Sequence, residues 1–317
     1  MTATLQIVVL NQLAERHLEM LKNADPNCSI HIAKLENAAP LMAEADILAT
    51  WGHLDIRQLC AAAPKLKWIH ALSAGVEQLT FPELQSSSVI LTNSKGIHGI
   101  PVSEHVFSMM LAFSRGLNLF IRQQQQSIWK RVPTDEIYEK TIAIVGLGSI
   151  GRSIAKRAKG LGMTVLASKQ EQTSEIFVDR LYRPDQLHQM LAEADFVVVA
   201  VPLTEATKEL FTIEEFRIMK KSAYFINIAR GSVVNETDLV TALEQGVIKG
   251  AGLDVFDHEP LAETSPLWNM TNVIITPHIA ALSPYYLDRA VKLFADNLTH
   301  FIQGDEMTNL VDKVKGY

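Results

Sequence analysis

The chain has 317 residues, of which 48% are hydrophobic, and it carries a formal net charge of -6. This length exceeds a usual single core, so we expect two domains, and the acidic balance argues against a nucleic-acid surface, which needs clustered Lys and Arg. The N-terminus shows no basic leader, and the longest apolar run, residues 196–201, is too short for a membrane span. Cys28 and Cys60 lack metal-ligand spacing. We expect a cytoplasmic protein that binds no metal, no nucleic acid and no membrane.

Over the first hundred residues, short β-branched runs alternate with stretches of helical period. Such alternation predicts a parallel sheet with helices on both faces. We therefore expect a small α/β domain in this part of the chain. Its predicted strands are residues 7–9, 30–32, 47–49, 68–70 and 89–91.

A long helix is predicted from Pro101, because proline suits the first turn of a helix. Apolar residues follow at helical spacing as far as Phe120, and Phe107 and Leu111 stand on the other side. A helix with apolar residues on two sides is buried on two sides. The second partner is either another part of this chain or a second subunit.

A second α/β unit follows that helix. The last helix is predicted with Ser283 as its N-cap, Pro284 behind the cap and Gly304 as its stop. Six strands are predicted between the helix that starts at Pro101 and this last helix. They are predicted at residues 142–145, 164–166, 196–200, 224–227, 250–253 and 273–275.

The segment GLGSIG carries a G-x-G-x-x-G pattern at Gly146, Gly148 and Gly151. A β-branched run precedes it and a helical stripe follows it, which is the context of a dinucleotide-binding turn. The phosphates would sit at the helix N-terminus, beside Ser149 and Ile150.

The next predicted strand ends in Ser168 and Lys169. An NAD-binding unit usually has an acidic residue at this place, which bonds the ribose 2′-hydroxyl. An ammonium and a hydroxyl would instead hold a 2′-phosphate. The sequence therefore favours NADP over NAD, although a solvated Lys169 with no role in cofactor choice is the alternative.

Three further segments bear on the chemistry: ADFVVVAVPLTEAT, MKKSAYFINIARGSVVNE, and GLDVFDHEP followed by NVIITPHIA. Together with LSAGVE at residues 72–77, they resemble the signature regions of the D-isomer-specific 2-hydroxyacid dehydrogenases in order and spacing. The resemblance implies a Rossmann nucleotide domain inserted into a flavodoxin-like substrate domain. Both domains would be doubly wound α/β units with parallel sheets.

The resemblance implies that Arg230, Glu259 and His278 are catalytic. The chemistry of 2-keto acid reduction asks for the same residue types. Arg230 offers a forked, permanently charged donor for the carboxylate and carbonyl. His278 can give a proton during reduction and take it back during oxidation. Glu259 would orient the histidine ring and favour its protonated form.

The resemblance also implies that the backbone amides of Ala74, Gly75 and Val76, together with Arg230, bind the substrate carboxylate. Asp254 would hold the nicotinamide carboxamide. Further cofactor contacts are assigned to the loop residues Pro202 and Thr207.

The family's organisation implies a substrate domain of residues 1–97 with 284–317 and a nucleotide domain of residues 98–283. It also implies a homodimer formed through the long helix. Glu139 departs from the family pattern, because a glycine usually precedes the first strand of the nucleotide domain.

The substrate is expected to be a small 2-keto or D-2-hydroxy acid, and we predict reduction of glyoxylate or hydroxypyruvate. Larger aliphatic or aromatic 2-keto acids are the alternative. Some relatives are corepressors that sense nicotinamide without catalysis. Such a protein should have interaction tails, and we see no long segment after the last predicted helix.

Overall fold

The structure is a computed structural model that describes residues 4–314. The chain forms two compact units. One unit, here called the terminal unit, contains the residues up to Ile97 and those from Ser283 onward, and the other, the central unit, spans His98–Leu282. The central unit is therefore inserted in sequence between the two parts of the terminal unit.

The elements alternate between strand and helix along most of the chain. Up to residue 97 they are β1 (Gln6–Val9), α1 (Glu15–Ala24), β2 (Ser29–Ile32), α2 (Ala39–Met42), β3 (Ile47–Thr50), α3 (Arg57–Ala61), β4 (Trp68–Ala71), α4 (Pro82–Gln85) and β5 (Ile90–Asn93). The central unit contains α5 (Gly99–Ser114), α6 (Leu117–Gln125), β6 (Thr141–Val145), α7 (Ser149–Gly160), β7 (Thr164–Ser168), β8 (Arg180–Tyr182), α8 (Leu187–Glu193), β9 (Phe196–Val199), α9 (Ile213–Ile218), β10 (Tyr224–Asn227), α10 (Glu236–Glu244), β11 (Gly250–Leu253) and β12 (Val273–Ile275). The helix α11 (Tyr286–Gln303) follows Ser283.

The terminal unit is built on a parallel five-stranded sheet with the order β2-β1-β3-β4-β5. Alternate residues of β1 enter two separate cores. Ile7 and Val9 pack with Phe294 of α11, whereas Val8 packs with Met42 of α2. The sheet is therefore covered on both faces, as the near-continuous apolar strands predict.

The central unit has a parallel seven-stranded sheet with the order β12-β11-β10-β9-β6-β7-β8. Ile142 and Ile144 of β6 face the core that Val106 of α5 and Ile154 of α7 fill. The strand order reverses direction between β9 and β6. In open parallel sheets, ligands bind outside the carboxyl ends of the strands at such a switch point. The doubly wound fold predicted from the sequence is confirmed for both units.

The single long helix predicted from Pro101 is divided in two. The first helix starts earlier, at Gly99, and ends at Ser114. Gly116 then adopts a left-handed conformation with φ of +67°, and α6 begins at the next residue. A left-handed residue ends the helical hydrogen-bond ladder, and the apolar pattern does not reveal this because it continues across the break. Leu111, on the second apolar side, is 40% exposed in the single chain.

The last helix also begins later than predicted. It starts at Tyr286, with Tyr285 at the N-cap position, so the prediction of Ser283 as N-cap was wrong. The Ser283 hydroxyl instead accepts the N–H of Tyr285 at 3.2 Å, within a turn that precedes the helix. Gly304 follows the last helical residue with φ of +75°, as predicted for the stop. No helix among residues 4–314 is long and apolar enough to cross a membrane.

Candidate active site

Backbone packing shapes the glycine-rich turn between β6 and α7. Gly146 has φ of +100°, and a Cβ there would lie 2.8 Å from the Ala200 carbonyl oxygen. A Cβ at Gly151 would lie 2.4 Å from the Gly146 carbonyl oxygen. A Cβ at Gly148 would meet no atom of the described residues within 4 Å. The first and third glycines therefore serve packing, whereas the second borders open space that a ligand can enter.

The N-terminus of α7 offers donors to that space. The Arg152 N–H bonds the Gly148 carbonyl oxygen at 2.9 Å. The N–H groups of Ser149 and Ile150 lie earlier in the first turn, where a helix has no internal acceptors. The positive end of the helix dipole coincides with them. These groups fit the pyrophosphate of a dinucleotide.

Ser168, the last residue of β7, supports the glycine turn. Its hydroxyl accepts the Gly146 N–H at 3.3 Å, and its carbonyl oxygen accepts the Leu147 N–H at 3.1 Å. The residue is only 5% exposed. Its observed contacts are therefore with the turn, which it holds in place from the neighbouring strand.

Lys169 follows β7 and takes part in a local network. Its Nζ lies 2.9 Å from the Thr173 hydroxyl and 3.3 Å from a Glu175 carboxylate oxygen. Its backbone N–H bonds the carbonyl oxygen of Tyr182, in the short strand β8. The sequence analysis identified neither β8 nor Glu175. A three-residue strand with a polar start carries little periodicity, and the Glu175 contact depends on a loop conformation.

The loop after β9 contains two more of the predicted cofactor contacts, Pro202 and Thr207. The Thr207 hydroxyl donates to the Pro202 carbonyl oxygen at 2.6 Å and accepts the Thr204 N–H at 2.8 Å. Pro202 itself is exposed. The two residues thus stabilise one compact turn at the carboxyl end of β9.

Arg230 lies on the loop after β10. The Asn227 side chain braces this loop, because its amide donates to the Arg230 carbonyl oxygen at 3.1 Å and its oxygen accepts the Ala229 N–H at 3.0 Å. A Cβ at Gly231 would lie 1.8 Å from the Phe256 carbonyl carbon. The loop after β10 therefore packs backbone against backbone on the loop after β11. The exposed Arg230 guanidinium donates to the Ala229 carbonyl oxygen at 2.7 Å.

Glu259 and His278 form a direct pair. The His278 Nδ1 atom lies 2.7 Å from one carboxylate oxygen of Glu259, and the other oxygen accepts the Phe256 N–H at 3.0 Å. Burial raises the pKa of Glu259, but the hydrogen bonds from His278 and Phe256 and the charges of His278 and Arg230 outweigh it and hold the pKa below its usual value. Glu259 is therefore a carboxylate at neutral pH.

The His278 ring is held so that its second nitrogen is available. Its side chain is 49% exposed, and no hydrogen bond from a described residue engages Nε2. The backbone at His278 has φ of +53°, and its N–H bonds the Asp254 carbonyl oxygen at 2.9 Å. With Nδ1 bonded to a carboxylate, Nε2 is the atom that can exchange a proton with a ligand.

Asp254 is buried beneath the segment that carries His278. One carboxylate oxygen accepts the Thr276 hydroxyl at 2.6 Å and the Ile279 N–H at 3.0 Å, and the other accepts the Ala280 N–H at 2.9 Å. These contacts shape the loop after β12. His105 of α5 also bonds the Thr276 hydroxyl, at 2.9 Å, a contact that sequence reasoning missed because 171 positions separate the two residues.

Residues 74–76 lie on a braced loop of the terminal unit. The Asn93 side chain donates to the Ala74 carbonyl oxygen at 2.7 Å, and the Ser73 hydroxyl donates to the Gly75 carbonyl oxygen at 2.7 Å. Among the described residues, none accepts a hydrogen bond from the N–H groups of Ala74, Gly75 or Val76. Three successive N–H groups without an acceptor among the described residues suit an anion such as a carboxylate.

The polar groups Arg230, Glu259 and His278 follow β10, β11 and β12, three neighbouring strands of one parallel sheet. A dinucleotide-binding turn lies in the same sheet, after β6. Among residues 4–314, no group of three or more His, Cys, Asp or Glu side chains could hold a metal ion. This fold and this site define a nucleotide-dependent oxidoreductase of the two-domain α/β class.

Comparison with known proteins identifies the family. The model of the D-isomer specific 2-hydroxyacid dehydrogenase, NAD binding domain, matches residues 107–280. A glyoxylate reductase of Pyrococcus horikoshii is 36% identical over 260 residues, which are 79% of this chain and 78% of that protein. The chain belongs to the D-isomer specific 2-hydroxyacid dehydrogenase family.

Solved structures agree with this assignment. A family protein from Aeromonas salmonicida is 36% identical, with a TM-score of 0.83 over 98% of this chain and all of that one. The NADPH-dependent glyoxylate/hydroxypyruvate reductase of Sinorhizobium meliloti, solved with NADP and sulfate, is 27% identical, with a TM-score of 0.78 over 99% of this chain and 100% of that one.

Proposed function

We propose that the protein uses NADPH to reduce glyoxylate or hydroxypyruvate to the corresponding 2-hydroxy acid. The observation that carries this proposal is the His278–Glu259 pair, which lies beside the Arg230 loop at the carboxyl ends of β10, β11 and β12. The reductases of Pyrococcus and Sinorhizobium described above support the substrate class. In this proposal the central unit binds the cofactor and the terminal unit contributes to substrate binding.

The proposed chemistry divides between the cofactor and three side chains. NADPH, when bound, supplies a hydride to the 2-keto carbon. Arg230 binds the substrate carboxylate and polarises the keto oxygen, because its guanidinium presents a planar fork of donors. His278 Nε2 donates the proton that the oxygen takes up as the C–H bond forms. Glu259 holds the imidazole ring of His278 in one orientation through its contact with Nδ1.

In this proposal the backbone N–H groups of Ala74, Gly75 and Val76 also donate hydrogen bonds to the substrate carboxylate. The carbonyl oxygens of Ala74 and Gly75 accept hydrogen bonds from Asn93 and Ser73, which support the conformation of the loop. A small acid such as glyoxylate has little surface besides its carboxylate and carbonyl. Its binding therefore depends chiefly on such charged and hydrogen-bonded contacts.

We infer NADPH as the preferred cofactor and NADH as the secondary one. Lys169 stands where an NAD-specific unit usually carries an acid, and its ammonium can bind a 2′-phosphate. The NADP complex of the Sinorhizobium reductase, which shares the fold, supports this inference. Asp254, Pro202 and Thr207 shape the loops that would border the cofactor.

The first experiment follows absorbance at the nicotinamide band with NADPH or NADH and a panel of 2-keto acids. The panel runs from glyoxylate and hydroxypyruvate to pyruvate, ketoisocaproate and phenylpyruvate. Rapid NADPH oxidation with glyoxylate or hydroxypyruvate supports the proposal. Faster turnover of phenylpyruvate or ketoisocaproate would assign the enzyme to larger substrates instead.

A variant at the proposed proton donor tests the mechanism. We expect His278→Ala to lower kcat at least about 100-fold, as loss of a general acid does, while NADPH affinity stays unchanged. His258→Ala is the matched control, because the His258 side chain is 95% exposed on a neighbouring loop. Equal loss of NADPH binding in His278→Ala would show that this histidine is structural.

We also infer a cytoplasmic homodimer that pairs through the α5–α6 region. Apolar side chains are exposed in α6 and in the segment that follows it, including Leu117 at 53%, Ile121 at 48% and Trp129 at 95%. Exposed apolar patches of this kind usually mark protein interfaces. Both cysteines are free thiols, as is usual in a reducing compartment. Light scattering should give twice the chain mass, and Trp129→Ser should weaken the dimer, whereas Trp268→Ser, at a site elsewhere on the surface, should not.

A further inference from the structure

One carboxylate bridges two cations near the dinucleotide turn. The Arg152 guanidinium makes a two-pronged contact with Glu175, at 2.6 Å to one oxygen and 2.9 Å to the other. Lys169 Nζ lies 3.3 Å from the first of these oxygens. Arg152 and Lys169 are therefore held close together by a shared anion.

Both cations lie at the edge of the sheet where the cofactor is proposed to bind. Arg152 directly follows Gly151, in the first turns of α7, and Lys169 directly follows the last residue of β7. Since β6 and β7 are neighbours in the parallel sheet, their carboxyl ends bring these two positions together. Glu175 reaches them from the irregular segment between β7 and β8.

Glu175 is an anion at neutral pH. The hydrogen bond from Arg152 lowers its pKa; burial opposes this shift, and Lys169 adds to it, so that the pKa lies below the usual range. Its side chain is only 13% exposed, whereas that of Arg152 is 47% exposed. The carboxylate thus occupies the inner side of the cluster, and the guanidinium is reachable from solvent.

We propose that Arg152 and Lys169 together bind the 2′-phosphate of NADPH, and that Glu175 competes with this phosphate and so sets the selectivity between NADPH and NADH. A phosphate monoester carries more charge than a carboxylate and matches the guanidinium fork equally well, so it can take over both cations. NADH has no such group and leaves the Glu175 contacts intact. The inference rests on the proposed use of NADPH.

Binding titrations of Glu175→Gln test the competition without any substrate. NADPH and NADH are each titrated into purified protein, and the enhancement of nicotinamide fluorescence gives the Kd. Removing the competing, partly exposed ion pair should lower the Kd of NADPH about threefold to fivefold and leave that of NADH within about twofold. Glu171→Gln is the matched control, because Glu171 is 80% exposed and lies 4.0 Å from Lys169.

Arg152→Gln tests the other half of the proposal. It should raise the Kd of NADPH at least about tenfold, since a guanidinium–phosphate contact is lost, with little change for NADH. Equal weakening of both cofactors would show that Arg152 does not recognise the 2′-phosphate, and it would overturn its assigned role.

The outcomes separate this inference from the proposed cofactor preference. If wild-type protein prefers NADPH and Glu175→Gln binds both cofactors as before, Glu175 is no competitor and the inference is wrong while the preference stands. If wild-type protein prefers NADH but Glu175→Gln gains NADPH affinity selectively, the competition is supported and the preference is wrong.

Discussion

The same added methyl group should destabilise the fold at one glycine of the dinucleotide turn and weaken cofactor binding at another. The Cβ of Gly151→Ala would lie 2.4 Å from the Gly146 carbonyl oxygen, about 1 Å closer than ordinary contact begins. That oxygen belongs to backbone, so α7 must move away from β6 although Ile154 packs it there. Because the clash is with backbone, overpacking here costs about 3 kcal/mol, the upper end of the usual range, and the better helix propensity of alanine returns about 1 kcal/mol.

The Cβ of Gly148→Ala enters open space, so the fold should tolerate it. The loss of glycine at this N-cap position costs about 0.5 kcal/mol, because alanine is a poorer N-cap residue than glycine. The methyl group would instead occupy the path by which the cofactor approaches the backbone. We expect NADPH affinity to fall about tenfold or more, equivalent to about 1.4 kcal/mol.

Thermal unfolding and NADPH titration, carried out on both variants, separate the two effects. Gly151→Ala should lower the Tm by roughly 4–8 °C, taking about 2–4 °C per kcal/mol for a unit of this size and a loss near 2 kcal/mol. Gly148→Ala should stay within about 2 °C of wild type on the same scale. If Gly148→Ala lost as much Tm as Gly151→Ala, or bound NADPH normally, the division of roles between the two glycines would be refuted.

Three further predictions concern charged and titratable groups. Glu259→Gln should lower kcat about tenfold with unchanged NADPH affinity, because the charge-assisted hydrogen bond to His278, which is partly exposed to solvent, contributes about 1.4 kcal/mol. Glu263→Gln, at an exposed position of the same loop, should leave kcat unchanged in the same steady-state assay. Arg230→Lys should raise the KM for glyoxylate and lower kcat, since an ammonium cannot form the forked contact, and unchanged kinetics would exclude its role. Burial lowers the pKa of His70 to about 3, from 6.5 in the unfolded chain, so its contribution to stability is present above pH 6.5 and is lost as the pH falls toward 3. Urea unfolding between pH 6 and pH 4 should therefore show a slope about 1.4 kcal/mol per pH unit smaller in His70→Gln, and an unaltered slope would contradict the burial argument.

Much of the architecture could be predicted because it depends on short-range patterns. The β-branched runs indicated eleven of the twelve strands, and the strand–turn–helix context of GLGSIG indicated the dinucleotide turn. The order of the segments that bear Arg230, Glu259 and His278 indicated that these side chains follow successive strands. In a parallel sheet such positions meet at one edge whatever the details of packing, so the local pattern was sufficient.

Other features depend on backbone conformations that the pattern does not specify. The apolar stripe continues from α5 into α6, yet the left-handed Gly116 divides the helix. Glu139 adopts φ of +60° just before β6, which explains why glycine is usual there. The chain accepts these conformations because the surrounding structure holds them, and no periodicity records that constraint.

The amino-acid order alone was enough to establish the parallel sheets, the glycine turn and the residue types of the proposed catalytic group, because each depends on neighbours within a few positions. Folding decided the rest. It placed Glu175 between Arg152 and Lys169 and directed the Asp254 carboxylate into the loop of His278. It also left the N–H groups of residues 74–76 without an acceptor among residues 4–314. These contacts join loops whose paths are set by packing in three dimensions, and a linear pattern carries no record of which loops will meet.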